Sequence, residues 1–161
     1  MANNYLQFSE AIYKLSDEER LWLEVRLRHL EAALTTLDDG KNEDGVSCVP
    51  EDRPYMNGAR RLGFQWAINQ DEDGHYLWVY AEEYGDVEHV ALFVKEFLAR
   101  FRSSEYFSLT WAETCSEPLI SEFSGGTLFV AADEIAWNGA FPWLGEKIRE
   151  FDQKKESGSR S

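Results

Sequence analysis

The chain is poor in cysteine and has no long apolar run. Only two cysteines, Cys48 and Cys115, occur among 161 residues, too few for the disulfide framework of a small secreted domain. No apolar run approaches the roughly 20 residues that a membrane-spanning helix needs. The first residues lack the basic and apolar regions of a secretory signal. Together these absences predict a cytoplasmic protein in a reducing setting.

Basic residues are also scarce relative to acidic ones. The chain has 16 Lys and Arg against 30 Asp and Glu, which gives a formal net charge of −14. Binding to nucleic acid or anionic membranes normally requires Lys and Arg, so the sequence predicts neither partner. The expected partner is a basic protein surface. Two interpretations stay open: the charge keeps the protein soluble, or it imitates the phosphates recognised by a nucleic-acid-binding protein.

Signatures of catalysis and metal binding are scarce as well. The two cysteines and three histidines are scattered singly, unlike the paired ligands of a zinc site. No glycine-rich phosphate loop lies between a strand and a helix. We therefore predict no cofactor and no metal. Carboxylate pairs such as Glu82 with Glu83 can divide acid and base roles, but a chain with 30 acidic residues contains such pairs by chance.

The composition is that of one folded domain. Hydrophobic residues make up 43% of the chain and aromatic residues 14%, which excludes a disordered polymer. We predict a single α+β domain over 1–156, divided into a helical part (1–37), an irregular linker (38–61) and a part with the sheet and two helices (62–156). The tail, 157–161, is expected to be disordered.

The N-terminal part has helical spacing. Phe8, Ala11, Ile12 and Leu15 predict a short first helix. Ser16, followed by Glu19 three residues later, is a capping box for a second helix over 17–36. The apolar stripe of that helix steps by four and three residues: Leu23, Leu27, Leu30, Leu34 and Leu37.

Two-residue alternation begins at Leu62 and predicts strands. The segments "LGFQWAI" and "HYLWVYA" flank "NQDEDG" and should form a hairpin. "DVEHVALFVKEFLARF" follows as a helix capped by Asp86. "YFSLTWA" and "TLFVAA" are the third and fourth strands, and a last helix should start at Pro142. The predicted fold is therefore α+β, with N-terminal helices and then ββα-ββα, in which a four-stranded antiparallel sheet carries two helices on one face.

The segment "NQDEDG" resembles the first half of an EF-hand calcium loop. Such a loop needs an acidic ligand at its twelfth position, followed by a helix. The twelfth residue counted from Asn69 is Tyr80, and strand-like alternation surrounds the segment. Asp73–Gly74 is a favoured hairpin pair. We therefore interpret this segment as the acidic tip of a hairpin with a four-residue loop.

The second face of the predicted sheet has an unusual composition of aromatic and hydroxyl residues. Tyr and Trp combine an apolar body with a polar group, so they suit a surface that is buried against something polar. We expect the N-terminal helices to cover this face. The alternative is an exposed patch for a partner or for a homodimer. The residues concerned are Tyr76, Trp78, Tyr80, Tyr106, Ser108, Thr110, Thr127 and Phe129.

The loop between the third and fourth strands, residues 113–126, is longer than most connections. It contains Cys115 and three glutamates. Its segment "PLISEF" has the pattern of a further short strand, which would leave an ordinary turn. Leu119, Ile120 and Phe123 are expected to be anchored in the core.

Three classes of function fit these features. We favour a non-enzymatic acidic binding module, an inhibitor or DNA mimic that acts on a basic partner such as a host defence nuclease, as phage and mobile-element proteins do. The alternatives are a small enzyme that uses carboxylates or Cys115 near the 113–126 loop, and a homo-oligomeric structural protein that associates through its aromatic face. The residues predicted to bind the partner are Asp71, Glu72, Asp73, Glu82, Glu83, Asp86, Glu88, Tyr76, Trp78 and Tyr80.

Overall fold

The computed structural model describes residues 3–38, 50–56, 59 and 61–158. Its elements follow one another in the order β1 (Asn4–Leu15), α1 (Asp17–Asp38), a 3-10 helix (Pro50–Met56), β2 (Gln65–Asp71), β3 (Gly74–Ala81), α2 (Val87–Phe101), β4 (Tyr106–Cys115), β5 (Ser124–Ala131), β6 (Glu134–Gly139) and α3 (Ala140–Gly158).

The six strands form one sheet in the order β2-β3-β1-β4-β5-β6. Every neighbouring pair is antiparallel. The α+β class with an antiparallel sheet is thus correct. The predicted four strands and the ββα-ββα order with helices first are wrong, because the chain begins with a strand and a sixth strand lies at the far edge.

The first strand replaces the predicted first helix. Phe8, Ile12 and Leu15 are buried, and their spacing of four and three residues is that of a helix. In the strand, Leu15 points to the same side as Ile12 because the register shifts between these two residues. Leu6, Phe8 and Ile12 also share the two-residue alternation that points one face of a strand towards a core. The strand is formed because β1 pairs with β3 on one edge and with β4 on the other.

Strand β6 is the second element that the sequence patterns did not predict. Ile135 and Trp137 lie opposite Val130 and Leu128 of β5 on the core-facing side. The preceding strand is also longer than predicted, because its two glycines belong to it. A Cβ atom on Gly126 would lie 2.6 Å from the ring of Trp111, so this glycine leaves the space that the indole occupies.

The predicted hairpin of β2 and β3 is confirmed, with a shorter turn. Asp71 pairs with Gly74, so the loop consists of two residues, 72 and 73, instead of four. The carboxylate of Asp71 accepts a hydrogen bond of 2.8 Å from the backbone N–H of Asp73. Gly74 has a φ of +123°, a conformation that L side chains rarely adopt.

The predicted helix caps are confirmed. The Ser16 hydroxyl accepts from the backbone N–H of Glu19 at 3.1 Å, and the Glu19 carboxylate accepts from the backbone N–H of Ser16 at 2.9 Å. Asp86 caps α2 by accepting from the backbone N–H of Glu88 at 2.9 Å. These bonds satisfy N–H groups that a helix start otherwise leaves unpaired.

Helices α1 and α2 share one core with the sheet. Leu23, Leu27, Leu30 and Leu34 of α1 are fully buried. Trp22 stacks on Phe93 of α2, with ring centroids 5.9 Å apart. The apolar stripe of α2 is buried in the same cluster as the inward side chains of β3, β4 and β5. The fold thus has two layers, with the sheet on one side and these helices on the other.

The described part of the predicted linker is ordered. Residues 50–56 form a 3-10 helix whose Tyr55 is buried in the core, while residues 39–49 lie outside the described residues. The predicted tail begins at 157, yet Ser157 and Gly158 end α3. Residues 159–161 of that tail lie outside the described residues.

The sheet divides at its centre. Strand β1 pairs with β4 over Asn4–Gln7 and Ala112–Cys115, and the two strands then diverge. A cleft of about 730 Å³ opens between the end of β1, the end of α2 and the start of β4. Strand β1 thus belongs to both parts of the sheet, because it pairs with β4 over Asn4–Gln7 and with β3 from Phe8 onward.

Arg102, just after α2, closes part of this cleft. Its Nη2 donates to the carbonyl oxygens of Tyr13 at 2.9 Å and Lys14 at 3.1 Å, and its Nε donates to the Glu19 carboxylate at 2.7 Å. Burial alone would raise the pKa of Glu19, but the bonds from Arg102 and Ser16 outweigh it, and the pKa of Glu19 is lowered. The pair therefore ties β1, α1 and α2 together.

Glu19→Gln should destabilise the protein by about 1.5–3 kcal/mol at neutral pH, because hydrogen bonds to charged groups are lost. Since the pKa of Glu19 is lowered, its contribution is fully present above the usual value of 4.5 and is lost as the pH falls below it. Urea denaturation from pH 7 to pH 3 should show the two proteins converging in acid. Exposed Glu18→Gln is the control, and a constant gap between wild type and Glu19→Gln would contradict the prediction.

Candidate partner-binding surface

One face of the sheet lies outside the helical layer. We call it the open face and define it by the outward side chains of its strands. Helices α1 and α2 pack on the opposite side with the core. The expectation that the N-terminal helices cover this face is therefore wrong, and the first of those helices is itself a strand of the sheet. The open face includes Gln7, Ser9, Tyr13, Tyr76, Trp78, Tyr80, Tyr106, Ser108, Thr110, Thr127, Phe129 and Asn138.

Two aromatic clusters lie on the open face. Trp78 and Tyr80 stack at 3.8 Å between ring centroids, and Tyr13 contacts Tyr76 at 5.7 Å. The Trp78 indole N–H donates to the Ser9 hydroxyl of the neighbouring strand at 2.8 Å. Because these rings are fixed by stacking and by a hydrogen bond, they form a preorganised contact surface.

The second cluster lies on the other side of the cleft. Tyr106 and Phe129 stack at 5.5 Å between ring centroids, and both are exposed. Thr110 and Thr127 are paired across the same two strands and are also exposed. Rings alternate here with hydroxyl groups, a composition common in protein–protein contacts because it offers both apolar area and hydrogen bonds.

The seven predicted acidic residues fall into two groups. Asp71, Glu72 and Asp73 are exposed at the tip of the β2–β3 hairpin. The other four, Glu82, Glu83, Asp86 and Glu88, follow the opposite end of β3. Strand β3 has eight residues, so about 25 Å separates the groups at about 3.3 Å per residue. Tyr76, Trp78 and Tyr80 lie between them, which gives an aromatic surface with acidic residues at each end.

The second acidic group is not uniform. Asp86 is occupied as the cap of α2, and its other carboxylate oxygen lies 3.7 Å from Nε2 of His89. Glu82, Glu83 and Glu88 are exposed and are the members of this group best placed to meet a partner.

The predicted 113–126 loop is shorter than expected, because β4 extends to Cys115 and β5 starts at Ser124. Residues 116–123 form no strand, so the interpretation of "PLISEF" as a strand is wrong. Its apolar side chains Leu119, Ile120 and Phe123 are exposed instead of anchored in the core. Within the loop Ser121 has a φ of 65°.

A cavity of about 320 Å³ lies beside this loop. Three carboxylates line it, from Glu83, Glu113 and Glu122, and Tyr5, Tyr84 and Phe141 are also in its wall. Carboxylates and aromatic faces together favour a cationic group. Tyr84 already stacks in this way with the guanidinium of Arg61, at 4.0 Å from the ring centroid.

Cys115 and the histidines occupy structural positions. Cys115 is half-buried and pairs with Asn4 at the end of the sheet. His89 is buried, its Nδ1 accepts from the backbone N–H of Gly63 at 2.8 Å, and burial lowers its pKa. Arg20 donates to Nε2 of His75 at 2.7 Å. In the described part of the chain, these contacts do not place a histidine as a base beside the thiol, as nucleophilic catalysis would require.

A buried ionic cluster is a further feature that the sequence patterns did not predict. Asp52 of the 3-10 helix is only 1% exposed, and its two oxygens accept from Arg26 at 2.5 Å and from His29 at 2.8 Å. Arg26 also donates to Glu96 of α2 at 2.8 Å. The His29 side chain is 51% exposed, and its ring reaches this buried carboxylate from the surface of α1. Only the position of Asp52 between two prolines could have indicated an ordered segment.

The cluster attaches the 3-10 helix to both core helices. Tyr55, next to Glu96, has its pKa raised first by burial and then by the charge of Glu96. The pKa of Arg26 is raised, because its bonds to Glu96 and Asp52 outweigh the effect of burial. Every charge has a partner here, as a buried ionic group requires.

Comparison with protein-family models, curated proteins and solved structures gave no match for this chain. Among the described residues, no helix has the length and apolarity that crossing a membrane requires. The geometry is that of an α+β domain in which the described strands form a six-stranded antiparallel sheet, with helices α1 and α2 on one face and an aromatic open face on the other.

Asp52→Ala should lower the free energy of unfolding by about 3–5 kcal/mol, because it leaves Arg26 buried without one of its carboxylate partners. Asp17→Ala is the matched control. It removes a carboxylate from an exposed ion pair with Arg20, which should cost less than about 1 kcal/mol. Urea denaturation followed by tryptophan fluorescence measures both. Equal losses in the two variants would show that the buried cluster contributes no more than a surface pair.

Proposed function

We propose that this chain is a non-enzymatic binding protein that engages a basic surface of a nucleic-acid-binding partner through its open face. The observation that carries this proposal is the half-buried aromatic cluster of Tyr76, Trp78 and Tyr80 on the open face, which lies between two exposed acidic groups. An exposed apolar patch with a polar rim is typical of an interaction surface.

The charge pattern supports a basic partner. The open face lacks basic side chains at its described strand positions. No outward residue of these strands is Lys or Arg, either from Tyr5 to Tyr13 or from Gln65 to Asn138. Aromatic rings that stack on single-stranded nucleic acid are normally accompanied by a cationic groove, and this surface has none. An anionic rim should instead steer a cationic protein towards the rings.

The acidic groups also suit imitation of a phosphate backbone. The exposed carboxylates at the two ends of β3, among them Glu72 and Glu82, lie about 25 Å apart by strand length. The negative charge is therefore distributed along the surface instead of being concentrated at one position. A partner that binds phosphates with Lys and Arg would find carboxylates at both ends. An inhibitor of a nucleic-acid-binding enzyme, such as a host defence nuclease, is the activity that fits this arrangement.

The cavity beside residues 116–123 supports the same partner chemistry. Its three carboxylates and aromatic wall are suited to a Lys or Arg side chain. The same cavity is the one observation in favour of the enzymatic alternative. The carboxylates of Glu83, Glu113 and Glu122 would be the candidate acid and base there, whereas Cys115 does not line it.

The test starts with the immobilised protein and a lysate of its native host at low salt. We expect the retained proteins to be basic and nucleic-acid-binding, and to elute as the salt concentration rises, since exposed charge pairs are screened. The affinity of a captured partner should then fall steeply between low and high salt. Retention that does not change with salt would contradict an electrostatic surface.

Charge reversal locates the surface. Glu82→Lys with Glu83→Lys should weaken binding of the captured partner by about tenfold or more, because like charges then face each other at the rim. The control, Glu18→Lys with Glu51→Lys, changes the net charge equally on the helical side. Equal losses in both double variants would mean that net charge alone governs binding. Loss in the control only would place the interface on the helical layer.

A further inference from the structure

Helix α3 differs from α1 and α2, because none of its residues, Ala140–Gly158, is buried. It nevertheless carries large apolar side chains. Phe141, Leu144, Ile148 and Phe151 are 53%, 46%, 51% and 66% exposed. A stable single-chain domain normally buries such a stripe, because an amphipathic helix gains most of its stability from packing that face.

The spacing of this stripe indicates what covers it. The four residues step by three, four and three positions, which is the a and d pattern of a heptad repeat. Phe141 and Ile148 occupy a positions, and Leu144 and Phe151 occupy d positions. This pattern is the seam that packs one helix against another helix of the same kind, with knobs of one inserted into holes of the other.

Charge favours a second copy of the chain as the occupant. The chain as a whole has a net charge of −14, so most of its surface repels another copy. Helix α3 has four basic residues, Lys147, Arg149, Lys154 and Lys155, and four acidic ones, Glu146, Glu150, Asp152 and Glu156. Its net charge is therefore zero, and two copies can meet at α3 with little repulsion.

The flanking charges also specify an orientation. With the seam assigned as above, Lys147 is a g position and Asp152 is the e position five residues later. In a parallel pair of helices, g of one chain lies beside that following e of its partner, so Lys147 and Asp152 attract each other twice. In an antiparallel pair, g faces g, and Lys147 would meet the like charge of Lys154.

The exposed apolar surface continues beyond the helix. Trp137, at the end of β6, is 47% exposed on the core-facing side of the sheet and contacts Trp111 at 6.1 Å between ring centroids. Phe141 lines the same cavity as Ser121 and Glu122, which places this part of the loop near the start of α3. A second copy that binds at α3 would therefore also cover exposed apolar surface near the start of this helix.

We propose that α3 pairs in parallel with α3 of a second copy, which makes the protein a homodimer joined along Phe141, Leu144, Ile148 and Phe151. The surface differs from the aromatic face considered above for self-association. Two heptads bury little area, so the dimer is weak and depends on concentration. The proposal does not rest on the proposed function.

Sedimentation equilibrium of the full chain, up to millimolar concentration, tests the dimer. The wild type should approach twice its monomer mass, and Leu144→Glu and Ile148→Glu should each remain monomeric across the range. These side chains are exposed, so circular dichroism and thermal unfolding at low concentration should be unchanged. The matched control is Gln153→Glu, at an f position away from the seam, which should dimerise like the wild type. A wild type that stays monomeric overturns the proposal.

A charge exchange tests the orientation. Lys147→Asp alone should weaken dimerisation at least tenfold, because it places like charges beside Asp152 of the partner copy. Lys147→Asp with Asp152→Lys should restore it. An antiparallel seam predicts the opposite for the single variant, since the new Asp would face Lys154. Strengthening by Lys147→Asp, or no rescue in the double variant, would overturn the parallel arrangement even if the protein dimerises.

Discussion

The described buried hydrophobic side chains of the sheet point to one side, and the rest of the structure depends on this constraint. Inward residues such as Leu77, Val79 and Leu128 meet the stripes of α1 and α2, so the helices have one place to dock. The residues that alternate with these inward ones along each strand then lie on the other side of the sheet. The open face is the direct result of two-residue periodicity combined with a single helical layer.

When helices cover only one side of a sheet, the side chains on the other side must be compatible with exposure to solvent. Exposed antiparallel faces are commonly charged, whereas this one is mostly aromatic, amide and hydroxyl, with charges at its ends. Trp78 is held by Ser9, and Tyr106 is held by Phe129. Cross-strand pairs of this kind stabilise a sheet by themselves, so the same side chains serve the fold and leave a rigid surface for a partner.

The sequence correctly predicted the features that depend on residues close to one another along the chain. The hairpin of β2 and β3, the capping box at Ser16 and the Asp86 cap were all recognisable, because each depends on residues within a few positions of one another. Strand β1 was mistaken for a helix, since the four-residue spacing of Phe8 and Ile12 satisfies both periods, and Leu15 fits the strand only through the register shift after Ile12. Only the neighbours β3 and β4, which are distant in sequence, determine which period applies.

The candidate site was predictable in residue type but not in arrangement. Seven acidic and three aromatic residues were predicted to bind the partner, and the eight-residue length of β3 separates the acids into two groups. The ionic cluster of Arg26, His29, Asp52 and Glu96 could not be foreseen, because three elements bring it together. The exposed stripe of α3 has the same pattern as a buried one, and only the folded chain distinguishes the two.

The position of β1 determines the order in which the chain can fold. Phe8 pairs with Ala81, and Tyr5 pairs with Thr114, so the first strand has both neighbours only after most of the chain exists. Contacts so distant in sequence slow folding. During synthesis, β1 can add to the β2–β3 hairpin first, and its other edge then stays unpaired until β4 is made. An unpaired edge on a nascent chain invites pairing with other molecules, so this protein should depend on slow, protected completion of its sheet.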